Sequence, residues 1–275
     1  MQSSDLKASL KEHLESLSAE LKRGKSEALT AYLAMMARFH KYSFGNIMLI
    51  LAQRPDATRV AGYRTWQSLG RQVRRGEKGI AIFAPMRLKA RKAEGADQEE
   101  ERLAFRAVRV FDVSQTDGEP LPELESVSGD AAELWQHLRS FANAEDISVE
   151  VGPLGIADGV SLGGHITVSD KFEEPAALAA VLIHELAHEF LHHRMKRNRP
   201  RHDVRELEAE ATTYAVCRHF GLETAQACSD CIHATGGDAE TLSQVLQRVQ
   251  ETAARIIDGV TAVQSAKDAH ATVAA

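Results

Sequence analysis

The sequence predicts a two-domain α+β protein, and three features carry that prediction. Leucines recur at helical spacing near the N-terminus and give way to strand-like alternation between residues 58 and 116. A break bearing prolines and glycines follows at residues 116–130. Beyond it, an apolar run, Ala176 to Ile183, leads into a histidine-bearing helix with a second helical pattern behind it. At 275 residues the chain is long enough for two modest cores, and its 44% hydrophobic and 26% charged composition is that of a globular protein.

Leu6, Leu10, Leu14, Leu17 and Leu21 mark an amphipathic helix over residues 5–22, and a second is expected over residues 26–40. Both are expected to pack as core helices of the first domain. Between residues 58 and 90, short β runs such as GIAIFAP, residues 79–85, are broken by glycines. Residues 90–101 are polar and unpatterned and read as a flexible hairpin tip, after which residues 103–116 resume alternation. Residues 116–130 have no apolar period, which sets the expected domains at 1–125 and 126–265. The second domain should hold a helix near Ala131 to Asn143, short strands, the histidine helix and its return, and a helix near Ala239 to Val263. The small-residue tail, residues 266–275, is expected to be disordered, and no internal repeat is visible.

No uninterrupted apolar stretch approaches membrane length and the N-terminus has no apolar signal core, so a cytoplasmic protein with no membrane partner is expected. Three cysteines, an odd number, argue against a disulfide framework. Cys228 and Cys231, with Cys217 and His233 nearby, lack the second ligand pair of a zinc module and read as reduced thiols. The net charge is only -6, but residues 38–92 hold thirteen bases against two acids. One region is therefore built to meet a polyanion, and the rest is acidic.

Residues 181–193 read VLIHELAHEFLHH. Positions four apart share a helix face, so His184 and His188 can aim ring nitrogens at one zinc ion, with Glu185 beside it. This H-E-x-x-H pattern is the signature of a zincin metallopeptidase, and its uncharged spacers suit a helix with one face on a cleft. A third protein ligand is needed, and RELEAEATTYAVCRHFGL, residues 205–222, offers it after a basic turn that starts a returning helix. The segment fits the gluzincin pattern E-x-x-A-(D/E/N) with Glu206 as ligand and Glu210 supporting a histidine, and it also fits read from Glu208. A metzincin would need glycine at 191 and histidine at 194, where the chain has Leu191 and Arg194. His192 extends the histidine row by a turn, but three residues spanning about 12 Å of axis cannot converge on one ion, so it reads as a surface or supporting residue.

These residue types imply hydrolysis of a peptide bond by metal-activated water, with Glu185 as general base. Tyr214, four residues beyond Glu210, is a candidate donor to the oxyanion. GGHITVSD, residues 163–170, alternates and precedes the metal helix, and reads as the edge strand that aligns an extended substrate, with His165 a solvated strand residue.

The basic region interleaves its cations with Tyr42, Phe44, Tyr63, Trp66 and Phe83. Phosphates need charge and unstacked bases need ring faces, which is the combination single-stranded nucleic acid requires. Residues 42–85, with their tryptophan, Leu-Gly-Arg step and R-R-G-E-K-G turn, closely resemble the N-terminal domain of ArdC-type antirestriction proteins, and FDVSQTDGEPLP, residues 111–122, resembles its end. HELAH and ELEAEATTYAVCRHFGL resemble that family's zincin domain, which is akin to ImmA- and IrrE-type metallopeptidases. The resemblance implies single-stranded DNA binding by the first domain, a gluzincin-like second domain, and association with plasmids or other mobile elements. Carried over by position, it implies Trp66, Gly70, Arg71, Arg74, Arg75 and Lys78 as the DNA-facing set, beside Tyr63. For the metal, zinc or another divalent ion, it implies His184, Glu185, His188 and Glu206. Glu189 departs from the pattern by placing a charge just after the motif, as does CSDCIHATGG, residues 228–237. The expectation is thus an antirestriction-type protein that binds single strands and cleaves a protein substrate the sequence does not name. Two other readings stay open: a structural, inactive zincin domain, and an ImmA-like regulatory peptidase whose basic domain contacts protein.

Overall fold

A computed structural model describes residues 3–23, 27–89, 101–121, 130–193, 200–222 and 238–273, and it is α+β. The chain divides into two compact units, Met1–Glu15 with Gly45–Leu121, and Ser16–Phe44 with Pro122–Ala275. The expected first domain, residues 1–125, thus cedes residues 16–44 to the second unit. The reason lies in packing: α2 (Glu27–Arg38) buries Leu29, Leu33 and Met36, and its last turn accepts a hydrogen bond at the Ala37 carbonyl from His219 Nδ1, 2.8 Å away. The first helix, α1 (Ser3–Lys22), is expected and found, with Leu6, Leu17 and Leu21 buried.

The first unit is built on a three-stranded antiparallel sheet. Its order is β1 (Val60–Gly62), β4 (Glu101–Asp112), β3 (Ile80–Lys89). The β3–β4 register runs from Ile80 opposite Val110 to Lys89 opposite Glu101, and the expected hairpin tip between them lies outside the described residues. A short helix, α4 (Tyr63–Ser68), leads to β2 (Arg71–Val73), which pairs with β5 (Thr116–Gly118). Alternation does not reveal α3 (Phe44–Gln53), an almost wholly apolar helix. Two of its amides explain its place. Asn46 and Gln53 each donate to and accept from the backbone of β3, at Phe83 and Ala81 respectively, all at 2.9 Å, so the outer edge of β3 is satisfied by side chains. Asp112 ends β4 and is 1% exposed. Burial alone would raise its pKa, but hydrogen bonds from Ser114 and from the Thr58 and Arg59 amides hold it below the ordinary value.

The second unit continues with α5 (Ala131–Ala144), whose first turn is capped by the Asp130 carboxylate accepting from Ala132 N at 3.1 Å. A mixed sheet follows, in the order β6 (Ser148–Gly152), β8 (His165–Ser169), β7 (Gly159–Ser161). The expected edge strand, β8, is therefore central, parallel to β6 and antiparallel to β7, with both backbone edges engaged. Strands β6 and β7 hold the two edges instead. Pro175 opens α6 (Pro175–His188), which runs into one π-helical turn, Glu189–His193. Helices α7 (His202–His219) and α8 (Ala239–Val273) complete the unit. The tail expected to be disordered from residue 266 is helical to Val273, since its alanines favour helix and carry no breaker. Cys217 is buried and free, and burial pushes its thiol up to about 12. Cys228, Cys231 and His233 lie outside the described residues. Among the described residues no helix is long and apolar enough to cross a membrane.

Candidate functional sites

Helix α6 presents its histidines as its spacing requires. His184 Nε2 and His188 Nε2 are 3.0 Å apart, and the carboxylate of Glu206 on α7 lies 3.7 Å from the first and 3.6 Å from the second. Their ligand atoms all fall within 4.8 Å of one another, so the three could hold one metal ion. A tetrahedral centre with bonds of about 2.0–2.1 Å sets its ligand atoms roughly 3.3 Å apart, inside the observed spread. The chemistry fits too, because two imidazoles and one carboxylate leave a position open. The imidazoles of His184 and His188 facing it hold the Glu206 carboxyl far below the usual range, against the opposing effect of burial. Burial works to lower His184, but Glu206, Glu185 and Glu210 raise it overall. Burial raises Glu185, with the two histidines opposing.

Of the three glutamates left open by the sequence, only Glu206 faces the histidines. Glu208 is 0% exposed and turns toward His192 and Arg248. Glu210, expected to support a histidine, makes no hydrogen bond to one among the described residues. Its charge acts on His184, yet Oε2 is buried without a hydrogen bond among the described residues. The hydrogen-bonded support comes from His192, 2% exposed, whose Nδ1 is 3.0 Å from Nδ1 of His188. Sequence reasoning left His192 undecided and assigned no role to Arg248.

A cleft of about 720 Å³ opens over the three residues. Strand β7 lines it through Gly159, Val160 and Ser161. A Cβ on Gly159 would stand 2.7 Å from Glu185 Oε1, so glycine is what lets the edge strand approach Glu185. Glu189 has a structural reason. Its carboxylate accepts from Ser161 Oγ at 2.5 Å, Gly163 N at 3.2 Å and Gly164 N at 2.8 Å, tying the end of β7 to the end of α6. Tyr214, expected at the oxyanion, is instead 8% exposed and does not line the cleft. It points into the core on the face of α7 that also buries Ala211 and Cys217. The cleft is also lined by His193 and by the guanidinium-bearing Arg205, neither of which the motif signals.

The first unit separates the expected DNA-facing residues into two groups. Trp66 is 2% exposed and donates its indole N–H to the Phe111 carbonyl at 2.9 Å, so its ring is core rather than a stacking surface. Gly70 supplies the left-handed turn after α4, at φ 71°. Arg71 is absorbed by the β5 segment: Nε donates to Thr116 Oγ1 at 2.8 Å, and its terminal nitrogens donate to the Thr116, Gly118 and Glu119 carbonyls. Arg74 pairs with Glu77 at 2.9 Å and Asp117 at 3.3 Å. In contrast, Arg75 and Lys78 are exposed, and Tyr63, 42% exposed, lines one groove with Arg74, Arg75 and Phe111. Phe105, 58% exposed, and Arg109 share a β4 face with Phe111 by alternation, and sequence analysis passed over both. Replacing the buried indole, Trp66→Ala, is expected to cost about 3–5 kcal/mol of stability. Chemical denaturation measures this, and an unchanged midpoint would contradict the burial.

Residues 3–113 match the model for the N-terminal domain of the anti-restriction factor ArdC. An uncharacterized protein of Bacillus anthracis is 28% identical over 82% of this chain, which spans about half of that relative, 46% of its length. Two crystal structures of the antirestriction ArdC protein from plasmid R388 share the fold. The metal-free form matches with a TM-score of 0.57 and 20% identity, covering 92% of this chain and 97% of that one. The Mn(II)-bound form matches with a TM-score of 0.54 and 18% identity, covering 91% and 97%.

Proposed function

We propose, for a chain that belongs with the ArdC-type antirestriction proteins through its N-terminal domain, that the second unit is a zincin-like, metal-dependent peptidase and that the first binds single-stranded DNA. The observation that carries the peptidase reading is the convergence of His184, His188 and Glu206 on one point of a cleft in which Glu185 also stands. Similarity to a protein with a Mn(II)-bound form supports a divalent ion there, zinc or manganese. A divalent ion held there supplies Lewis acidity and makes water acidic enough to ionise near neutral pH. Glu185 takes the proton of the attacking water and returns it to the leaving amine. Its raised proton affinity, a consequence of burial, suits both transfers. The outer edge of β7 pairs with an extended peptide backbone, a geometry that reads shape more than sequence. Arg205 and His193 line the cleft, and in this reading the guanidinium and an imidazole N–H donate to the developing oxyanion.

The DNA reading rests on exposed rings and cations of the first unit: Tyr63 and Arg75 line one groove, and Lys78 and Phe105 are exposed elsewhere on the same unit. Titration of the full-length protein with labelled oligonucleotides tests it. Single strands should bind more tightly than duplex, with a logarithmic salt slope of about -0.7 per phosphate contacted. Arg75→Ala with Lys78→Ala should flatten that slope. Tyr63→Ala or Phe105→Ala should cost about 1–3 kcal/mol for each ring that stacks and leave the slope nearly unchanged. Preference for duplex, or affinity independent of salt, would remove nucleic acid from the account and favour a protein-contact role for this unit.

A further inference from the structure

From the metal-facing histidine a single line of polar groups runs inward. His188 turns Nε2 toward Glu206 and Nδ1 toward His192, whose Nδ1 is 3.0 Å away. His192 then sets Nε2 3.0 Å from Oε2 of Glu208, and Glu208 Oε1 accepts from Arg248 Nε at 2.8 Å and from its terminal nitrogen. His192 and Glu208 are 2% and 0% exposed, so water does not compete for these bonds. His192 follows His188 by four residues on the π-helical turn Glu189–His193, and the two rings lie with centroids 5.1 Å apart, tilted by 52°.

Two Nδ1 atoms at hydrogen-bond distance need one proton between them, and the rest of the line decides which carries it. Glu208 faces a guanidinium on one oxygen and so stays an acceptor on the other, which requires the His192 proton on Nε2. His192 Nδ1 is then a lone pair and accepts from Nδ1–H of His188. That leaves His188 Nε2 with its lone pair free on the cleft side, the form in which an imidazole binds a metal. We propose that Arg248, Glu208 and His192 are positioning residues that fix the tautomer and ring orientation of His188 and thereby raise the metal affinity of the centre. The proposal rests on the metal reading above and adds a second histidine between ligand and carboxylate, with the C-terminal helix α8 as its anchor. A ligand whose far nitrogen donates to a fixed acceptor is a stronger base toward the ion and loses less freedom on binding.

Zinc affinity of the full-length protein, measured by competition with a chromophoric chelator, provides the test. His192→Phe keeps the ring volume but neither nitrogen, and should weaken zinc binding about 10–100-fold. Arg248→Met should weaken it less, because Glu208 keeps its bond from His192. Nitrogen-15 NMR of the zinc-loaded wild type gives a readout that packing alone would not set: His192 should carry its proton on Nε2. Wild-type zinc affinity in His192→Phe, or a proton on His192 Nδ1, overturns the relay while leaving the metal centre intact. Wild-type protein that binds no zinc, or binds it undiminished after Glu206→Ala, overturns the centre itself and the relay with it.

Discussion

Glu206→Ala protein is expected to purify with almost none of the roughly one equivalent of divalent metal that the wild type carries. Two imidazole nitrogens 3.0 Å apart offer an incomplete site, and the carboxylate 3.6–3.7 Å from both is the group that closes it. Its removal also takes away the negative charge that raises His184, so that histidine becomes easier to leave neutral but has nothing opposite it to complete a coordination shell. Glu210→Ala makes the control. Glu210 acts on His184 through charge alone, with Oε2 unbonded, so its loss should weaken binding by less than about tenfold, the lower end for a supporting residue that is hydrogen-bonded. Elemental analysis and chelator competition on both variants decide the matter. A larger loss from Glu210→Ala than from Glu206→Ala would assign the third ligand to Glu210 instead.

That choice illustrates where the sequence stopped being legible. The spacing of His184 and His188 is local and fixes their common face without any knowledge of the fold. Which of Glu206, Glu208 and Glu210 meets them depends on the rotation of α7 against α6, which is a tertiary fact. The helix has apolar and acidic residues on several faces, so periodicity did not orient it. The edge strand failed for a related reason. His165 to Ser169 alternates whether the strand is central or peripheral, and only pairing on both sides distinguishes the two. In the first unit, composition located the basic region but could not tell a ring in the core from a ring on the surface. Trp66 is anchored by a carbonyl 45 residues away, and Arg71 by two more on β5 and one just past its end, contacts that no local pattern announces. Phe105 and Arg109, on the strand past the expected hairpin tip, are an exposed ring and an exposed cation that local pattern did not single out. Residues 16–44 went to the other unit because helical periodicity reveals an apolar face but not what that face will meet.

Glu185→Gln should abolish peptide hydrolysis while leaving both metal content and fold in place. The substitution keeps the length and shape of the side chain, which matters here: Glu185 fits beneath Gly159, where even a Cβ would stand 2.7 Å from its carboxylate. Glu185→Ala would be a poorer probe, since it opens a void under β7 and risks moving the strand that the substrate pairs with. The glutamine has no base to accept a proton from water, so cleavage should fall by at least about 10²–10⁴-fold. Stability of the metal-free protein should hold or rise, because burial disfavours the charged form of Glu185 and an amide carries no charge to desolvate. Cleavage of an unfolded model protein, with metal content and melting temperature measured on the same samples, separates the outcomes. Undiminished cleavage by the variant would mean that another group activates the water. If wild type and variant are equally inert while both hold metal, with single-stranded DNA present as well as absent, the second unit is a metal-stabilised scaffold. The close fit of Glu185 under Gly159 would then be packing rather than chemistry. An inactive scaffold has no need of a carboxylate buried against two histidines, where removing its charge should cost nothing, and that unspent stabilisation is the physical argument for expecting hydrolysis.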